Sequence, residues 1–215
     1  MAVRIAPSIL AADLGKLVAE VREVVDAGVS VIHIDVMDGH FVPPLSMGPG
    51  HVKALRPAFP DAVLDVHLMV QRPHEHVAAF AEAGADIITF HEEADTDVAE
   101  TIAQIRLAGC RAGVSVKPKT ALEVIEGIDL DLCLIMSVEP GWGGQAFIEG
   151  ALERIAHARE MFGADAEIEV DGGVDASNAA ACAAHGASLL VAGSSIFGQT
   201  DRAAAYRAIH AAAMG

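Results

Sequence analysis

The residues able to do chemistry sit in a few apolar runs. The stretch VIHIDVMDG, Val31 to Gly39, sets His33 and Asp35 two positions apart among aliphatic side chains. Strand side chains alternate, so His33, Asp35 and Met37 would share one face and Ile32, Ile34 and Val36 the other. A second run, AVLDVHLMV (Ala62 to Val70), repeats this pattern with Asp65, His67 and Met69, and a third, EIEVD, ends in Asp171. Imidazole nitrogen and carboxylate oxygen suit zinc, iron(II), manganese or cobalt. His33, Asp35, His67 and Asp171 would supply four such donors. Carboxylates also move protons. Asp35 and Asp171, set on opposite sides of a substrate carbon, could take a proton from one face and return one on the other, which is epimerisation. The carbon must lie next to a carbonyl, whose developing negative charge a metal would hold.

A second group of residues suits an anion. GWGG (Gly141 to Gly144), DGGV (Asp171 to Val174) and AGSS (Ala192 to Ser195) each follow an apolar run. Glycine lets backbone N–H groups approach a ligand closely, and AGSS opens a short helix whose N-terminus attracts phosphate. Gly141, Trp142, Gly143, Gly144, Gly172, Gly173, Val174, Gly193 and Ser194 are therefore the expected phosphate-end residues. Met37, Met69 and Met136 are expected to cap the site with soft apolar surface and to limit water. The other histidines, His40, His51, His74, His76, His91, His157, His185 and His210, fall on loops or helices in this reading and are expected mostly in solvent.

Strands alternating with helices must position these residues. Strands are expected at 4–10, 31–39, 62–70, 86–90, 111–116, 132–138, 167–171 and 188–193. Helices are expected at 14–25, 51–56, 73–83, 97–108, 121–125, 152–162, 176–184, 194–197 and 202–213. Three helices end at Ala-Gly (Ala27-Gly28, Ala83-Gly84, Ala108-Gly109), a common stop. Eight strand–helix units in just over 200 residues, with no break in composition, predict an α/β fold: one TIM (β/α)8 barrel over residues 1–215. Ser8, His33, Asp35, His67, Met136 and Asp171 would then stand at the C-terminal ends of its strands. A doubly wound sheet would be expected to carry its glycine fingerprint after the first strand, and here the glycines come late.

Composition narrows the partners. The chain is 53% hydrophobic with a mean hydropathy of +0.40, enough for a sizeable core, but only 4% aromatic. Its net charge of −16 argues against nucleic acid and anionic membranes, which need a basic face. No apolar run has transmembrane length and the N-terminus shows no signal-peptide pattern, so a cytoplasmic protein is expected. Cys110, Cys133 and Cys182 show no metal-type spacing and are expected as buried reduced thiols.

Taken together, IAPSIL (Ile5 to Leu10), HIDVMDGHFVP (His33 to Pro43), DVHLMV (Asp65 to Val70), MSVEPGWGGQ (Met136 to Gln145), VDGGV (Val170 to Val174) and VAGSSIF (Val191 to Phe197) resemble the ribulose-phosphate 3-epimerase family over nearly the full length. The resemblance implies a TIM barrel with one divalent metal ion per subunit (zinc, iron, manganese or cobalt). It implies interconversion of D-ribulose 5-phosphate and D-xylulose 5-phosphate, in the pentose phosphate pathway or carbon fixation, by a homo-oligomer, a dimer or larger ring. It assigns His33, Asp35, His67 and Asp171 to the metal and Asp35 and Asp171 to proton transfer. Ser8 and His67 would contact substrate, and Gly141 to Gly144, Gly172, Gly173, Gly193 and Ser194 would surround the phosphate. Trp142 stands where the family usually has Phe, Pro44 replaces a common Asn, and Met47 often corresponds to Phe or Thr. The related allulose-6-phosphate 3-epimerases, acting on a phosphorylated hexulose, are the alternative. A sugar-phosphate-binding barrel would show no turnover, and a metal-free decarboxylase would stay active after chelation.

Overall fold

The computed structural model describes residues 3–148 and 150–215. Eight apolar runs form parallel strands: β1 (Arg4–Pro7), β2 (Val31–Met37), β3 (Val63–Met69), β4 (Ile87–His91), β5 (Arg111–Val116), β6 (Leu132–Met136), β7 (Glu167–Asp171) and β8 (Leu189–Ala192). They pair in the order β1-β8-β7-β6-β5-β4-β3-β2. An isolated parallel bridge between Ser8 and His33 joins β1 to β2 and closes the ring. This is the TIM barrel that the alternation of elements predicts.

The helices are α1 (Leu17–Val25), α2 (Pro49–Leu55), α3 (Val77–Ala83), α4 (Val98–Leu107), α5 (Ala151–Phe162), α6 (Ala179–Ala184), α7 (Ser194–Phe197) and α8 (Arg202–Met214). In α1, Leu17, Val21 and Val24 recur at helical spacing and are buried. Asp97 and Asp201 cap α4 and α8, accepting from the N–H of Glu100 at 2.9 Å and of Ala204 at 2.8 Å. Gly84 ends α3 at φ +106°, a left-handed turn that a side chain would strain. The expected helix at 121–125 is instead a 3-10 turn, Leu122–Ile125. The first turns expected for α1 and α3 are likewise 3-10 segments, Leu14–Lys16 and Pro73–Glu75, and α6 begins three residues later than expected.

Strand alternation sorts the core into two layers. Ile32, Ile34, Leu64, Val66, Ile88 and Phe90 point outward and pack with Val21, Val24, Phe80 and Ile105 from the helices. Ala6, Val31, Ile87, Leu132, Leu134, Leu189 and Val191 fill the barrel interior. The parity that turns Ile32 and Ile34 outward turns His33 and Asp35 inward. Cys110, Cys133 and Cys182 are buried and unpaired. Among the described residues no helix is long and apolar enough to cross a membrane.

Gly113 of β5 sits opposite Thr89 of β4 inside the barrel. A Cβ at Gly113 would lie 2.1 Å from Thr89 Oγ1 and 3.1 Å from Leu132 Cδ2. Gly113→Ala should therefore cost about 1–3 kcal/mol by overpacking, read as a lower urea midpoint. An unchanged midpoint would show that the interior yields there.

Candidate active site

The inward faces of β2, β3 and β7 converge at the C-terminal mouth. In register, His33 stands beside Asp65, and Asp35 beside His67. Asp171 arrives from β7, which is separated from β2 by β8 and β1. His33, Asp35, His67 and Asp171 each offer a donor atom, and the four atoms lie within 4.8 Å of one another. His33 and His67 are wholly buried, and the carboxylates stand in front of them.

Most side chains at the mouth are held by specific contacts. Ser8 Oγ donates to Asp35 Oδ2 at 2.6 Å. Asp35 Oδ1 lies 3.1 Å from His67 Nδ1 and 3.3 Å from His33 Nε2. On its other side, His33 Nδ1 lies 2.6 Å from Asp65 Oδ2 and 3.3 Å from Glu169 Oε1. His67 Nε2 meets His91 Nε2 at 2.9 Å. The loop after β2 is folded by Asp38, which accepts from the backbone of His40, Phe41 and Gln71. Ser46 returns that loop to the strand, donating to the Asp35 carbonyl at 2.7 Å and accepting from Met37 N–H at 2.9 Å.

The two acids are pushed apart. Burial works to raise Asp35, but the charge and hydrogen bonds of His33 and then His67 hold it well below the ordinary carboxylate range. Burial, followed by the negative charge of Asp35, lifts Asp171 to about 6. His33 is raised despite its burial, because Asp35 and Asp65 favour the imidazolium. Titratable pairs split in this way divide into one group that accepts a proton and one that carries it.

Above the donors opens a cavity of about 500 Å³. Ser8, Asp35, Met37, Met69, Met136 and Asp171 line its floor. Gly141, Trp142, Gly143, Gly144, Gly172, Gly173, Val174, Gly193 and Ser194 line the rest. Every residue expected at the site is thus brought together, with His33 and His67 just beneath the cavity. Met37, Met69 and Met136 are buried, whereas Trp142 is 64% exposed on the outer lip. Gly173, at φ +65°, allows the chain at Gln145–Phe147 to lie directly on it, since a Cβ there would come within 2.5 Å of Phe147 N. No Lys or Arg is among the described lining residues.

One expectation fails. His91 is neither on a loop nor in solvent. It ends β4, is wholly buried and touches His67. The signal was available: Ile87, Thr89 and His91 alternate in the same phase as His33 and Asp35, and ending the strand at Phe90 hid it. Glu169 was also missed, although it stands two residues before Asp171 and so shares its face. It is buried, and burial and then Asp65 raise it well above a normal carboxyl.

The chain matches the model of the ribulose-phosphate 3-epimerase family over residues 4–197. It is 48% identical over 206 residues to a ribulose-phosphate 3-epimerase of Bacillus subtilis strain 168, covering 93% of this chain and 94% of that one. It is 46% identical over 214 residues to a chloroplastic ribulose-5-phosphate-3-epimerase of Arabidopsis thaliana, covering 96% and 76%. Among solved structures, 3-hexulose-6-phosphate synthase from Salmonella typhimurium superposes with a TM-score of 0.75 at 20% identity over 98% of both chains, a likeness of fold.

After chelation, carboxyl carbon-13 NMR should show Asp171 titrating near its raised value of about 6, with Asp35 still ionised. Asp171 ionising in the ordinary carboxylate range would contradict the split.

Proposed function

The chain belongs to the ribulose-phosphate 3-epimerase family, and from that premise we propose that it interconverts D-ribulose 5-phosphate and D-xylulose 5-phosphate by proton transfer between Asp35 and Asp171. The observation that carries the mechanism is the approach of these two carboxylates from non-adjacent strands, with opposite leanings toward the proton. The ionised acid removes the proton at C3 from one face. The protonated acid returns one from the other face, and the roles exchange in reverse. Ser8 holds the Asp35 carboxylate through its hydroxyl, keeping it aimed rather than free to rotate.

His33, Asp35, His67 and Asp171 fit a divalent cation. His33 Nε2 is buried without a hydrogen-bond partner, while its Nδ1 is occupied by Asp65. That pattern, one nitrogen on a carboxylate and the other free toward the site, is how metal-binding imidazoles are oriented. What such an ion supplies is polarisation of the carbonyl beside C3 and compensation for the charge that builds on its oxygen. Met37, Met69 and Met136 keep water from the reacting carbon.

The phosphate is held by dipoles. Gly172, Gly173, Gly193 and Ser194 line the cavity together with Gly141 to Gly144, and their backbone N–H groups are the donors this reading assigns to the phosphate. This suits an acidic protein binding an anion, because the attraction is local.

Asp35→Asn and Asp171→Asn should each lower kcat by at least about 100-fold while circular dichroism stays unchanged. Substantial turnover in either variant would remove that residue from proton transfer. Activity should collapse on chelation and return with a divalent cation; activity indifferent to chelation would eliminate the metal. Ser194→Glu, which places a negative charge at the phosphate end, should raise KM far more than it alters unfolding, and an unchanged KM would put the phosphate elsewhere.

A further inference from the structure

The two imidazoles of the donor set are supported differently. His33 has a carboxylate directly on its outer nitrogen. His67 has a second histidine there. His67 Nε2 and His91 Nε2 are 2.9 Å apart, so one nitrogen carries the hydrogen and the other accepts it. Both rings are 0% exposed, and each depends on the protein for its hydrogen bonds. His91 Nδ1 in turn lies 3.3 Å from Glu93 Oε2. We propose that Glu93 and His91 are positioning residues that fix the tautomer of His67 when a cation is bound, leaving its Nδ1 lone pair aimed at the cation site that Asp35 and Asp171 also face. The consequence for metal binding rests on the function proposed above.

Glu93 sets the direction of the chain. Its Oε1 accepts from the Lys117 backbone N–H at 2.7 Å and from the Thr120 hydroxyl. Oε2 is therefore the oxygen facing His91. A carboxylate only accepts, so His91 donates through Nδ1. A neutral imidazole protonated at Nδ1 has a bare Nε2, which accepts from Nε2–H of His67. With a cation between them, His67 then presents an unprotonated Nδ1 beside the two acids, 3.1 Å from Asp35 Oδ1 and 3.7 Å from Asp171 Oδ2; without one, the Asp35 carboxylate competes with Glu93 by accepting a hydrogen from Nδ1. A single carboxylate just after β4, held by the turn after β5, thus dictates which nitrogen of a β3 histidine can bind a cation. Phe41 packs against the His91 ring, with centroids 4.9 Å apart, and Lys117 Nζ lies 4.0 Å from the centre of the Phe41 ring. The loop after β2 therefore covers the chain from above.

Glu93→Gln discriminates. The amide oxygen would stay with the two donors from Lys117 and Thr120, turning the NH2 group toward His91. The polarity would reverse along the chain and leave the hydrogen on His67 Nδ1. Nitrogen-15 NMR of the histidine-labelled full chain, zinc-loaded and after chelation, reads the tautomer directly. The zinc-loaded unsubstituted protein should be protonated at Nε2 of His67; after chelation Asp35 draws the hydrogen toward Nδ1, and more completely so in Glu93→Gln. Cobalt affinity, measured by competition with a chelator, should fall about 10–100-fold in Glu93→Gln and in His91→Phe. His91→Gln, whose amide oxygen can still accept, should recover part of it. A His67 protonated at Nδ1 in the zinc-loaded unsubstituted protein, or a Glu93→Gln chain with unchanged cobalt affinity, would overturn the proposal. An unsubstituted chain that binds neither zinc nor cobalt would sink the metal reading and the proposal with it, whereas tight cobalt binding with no loss in Glu93→Gln would sink the proposal alone.

Discussion

A carboxylate taken out of water must be matched by positive charge or by hydrogen bonds, or it will not stay ionised. This barrel places Asp35, Asp65, Glu169 and Asp171 around two imidazoles at one end of its interior. The rest of the site follows from that crowding. Asp35, touched by both histidines and by Ser8, stays charged. Asp171, facing Asp35 with less compensation, tends to keep its proton. Glu169, wholly buried beside Asp65, is driven in the same direction. Carboxyl groups crowded around two buried imidazoles are an environment that a divalent cation relieves, by displacing their protons.

The barrel and most of this site were legible because period-2 alternation is a strong signal when the outward face is purely aliphatic. In β2, Ile32, Ile34 and Val36 leave no doubt which face is greasy, so His33 and Asp35 stand out. The glycine loops were legible for a related reason: they follow strands, where the fold puts its binding loops. His91 was not, because its strand is short and the apolar pattern stops one residue before it. The 3-10 turn at Leu122–Ile125 was not, because Leu122 and Ile125, three apart, suit either helix. What no spacing could give is which nitrogen touches what, since that depends on groups brought together from β2, β3, β4 and the turn beyond β5.

The charge of the chain and that of the proposed ligand look mismatched, yet the lining of the cavity offers a resolution. With no Lys or Arg among the described lining residues, the phosphate attraction proposed above would come from amide dipoles that act over a few ångströms. The net charge of −16 is spread over the whole chain and is screened by salt beyond about 10 Å. Recognition and solubility are therefore set by different parts of the molecule.

The closure of the ring carries a consequence for biosynthesis. β1 pairs with β8 at four register positions, from Arg4 with Leu189 to Pro7 with Ala192, but reaches β2 through the isolated Ser8–His33 bridge. On the ribosome, β2 to β7 can join in the order they emerge, each beside its predecessor, while the first strand made must wait for the last. That wait is a long-range contact of the kind that slows folding. The bridge that ends it carries Ser8, the residue whose hydroxyl holds Asp35. A nascent chain thus gains its ordered acid at the moment the ring shuts, and no partly synthesised chain can possess the finished site.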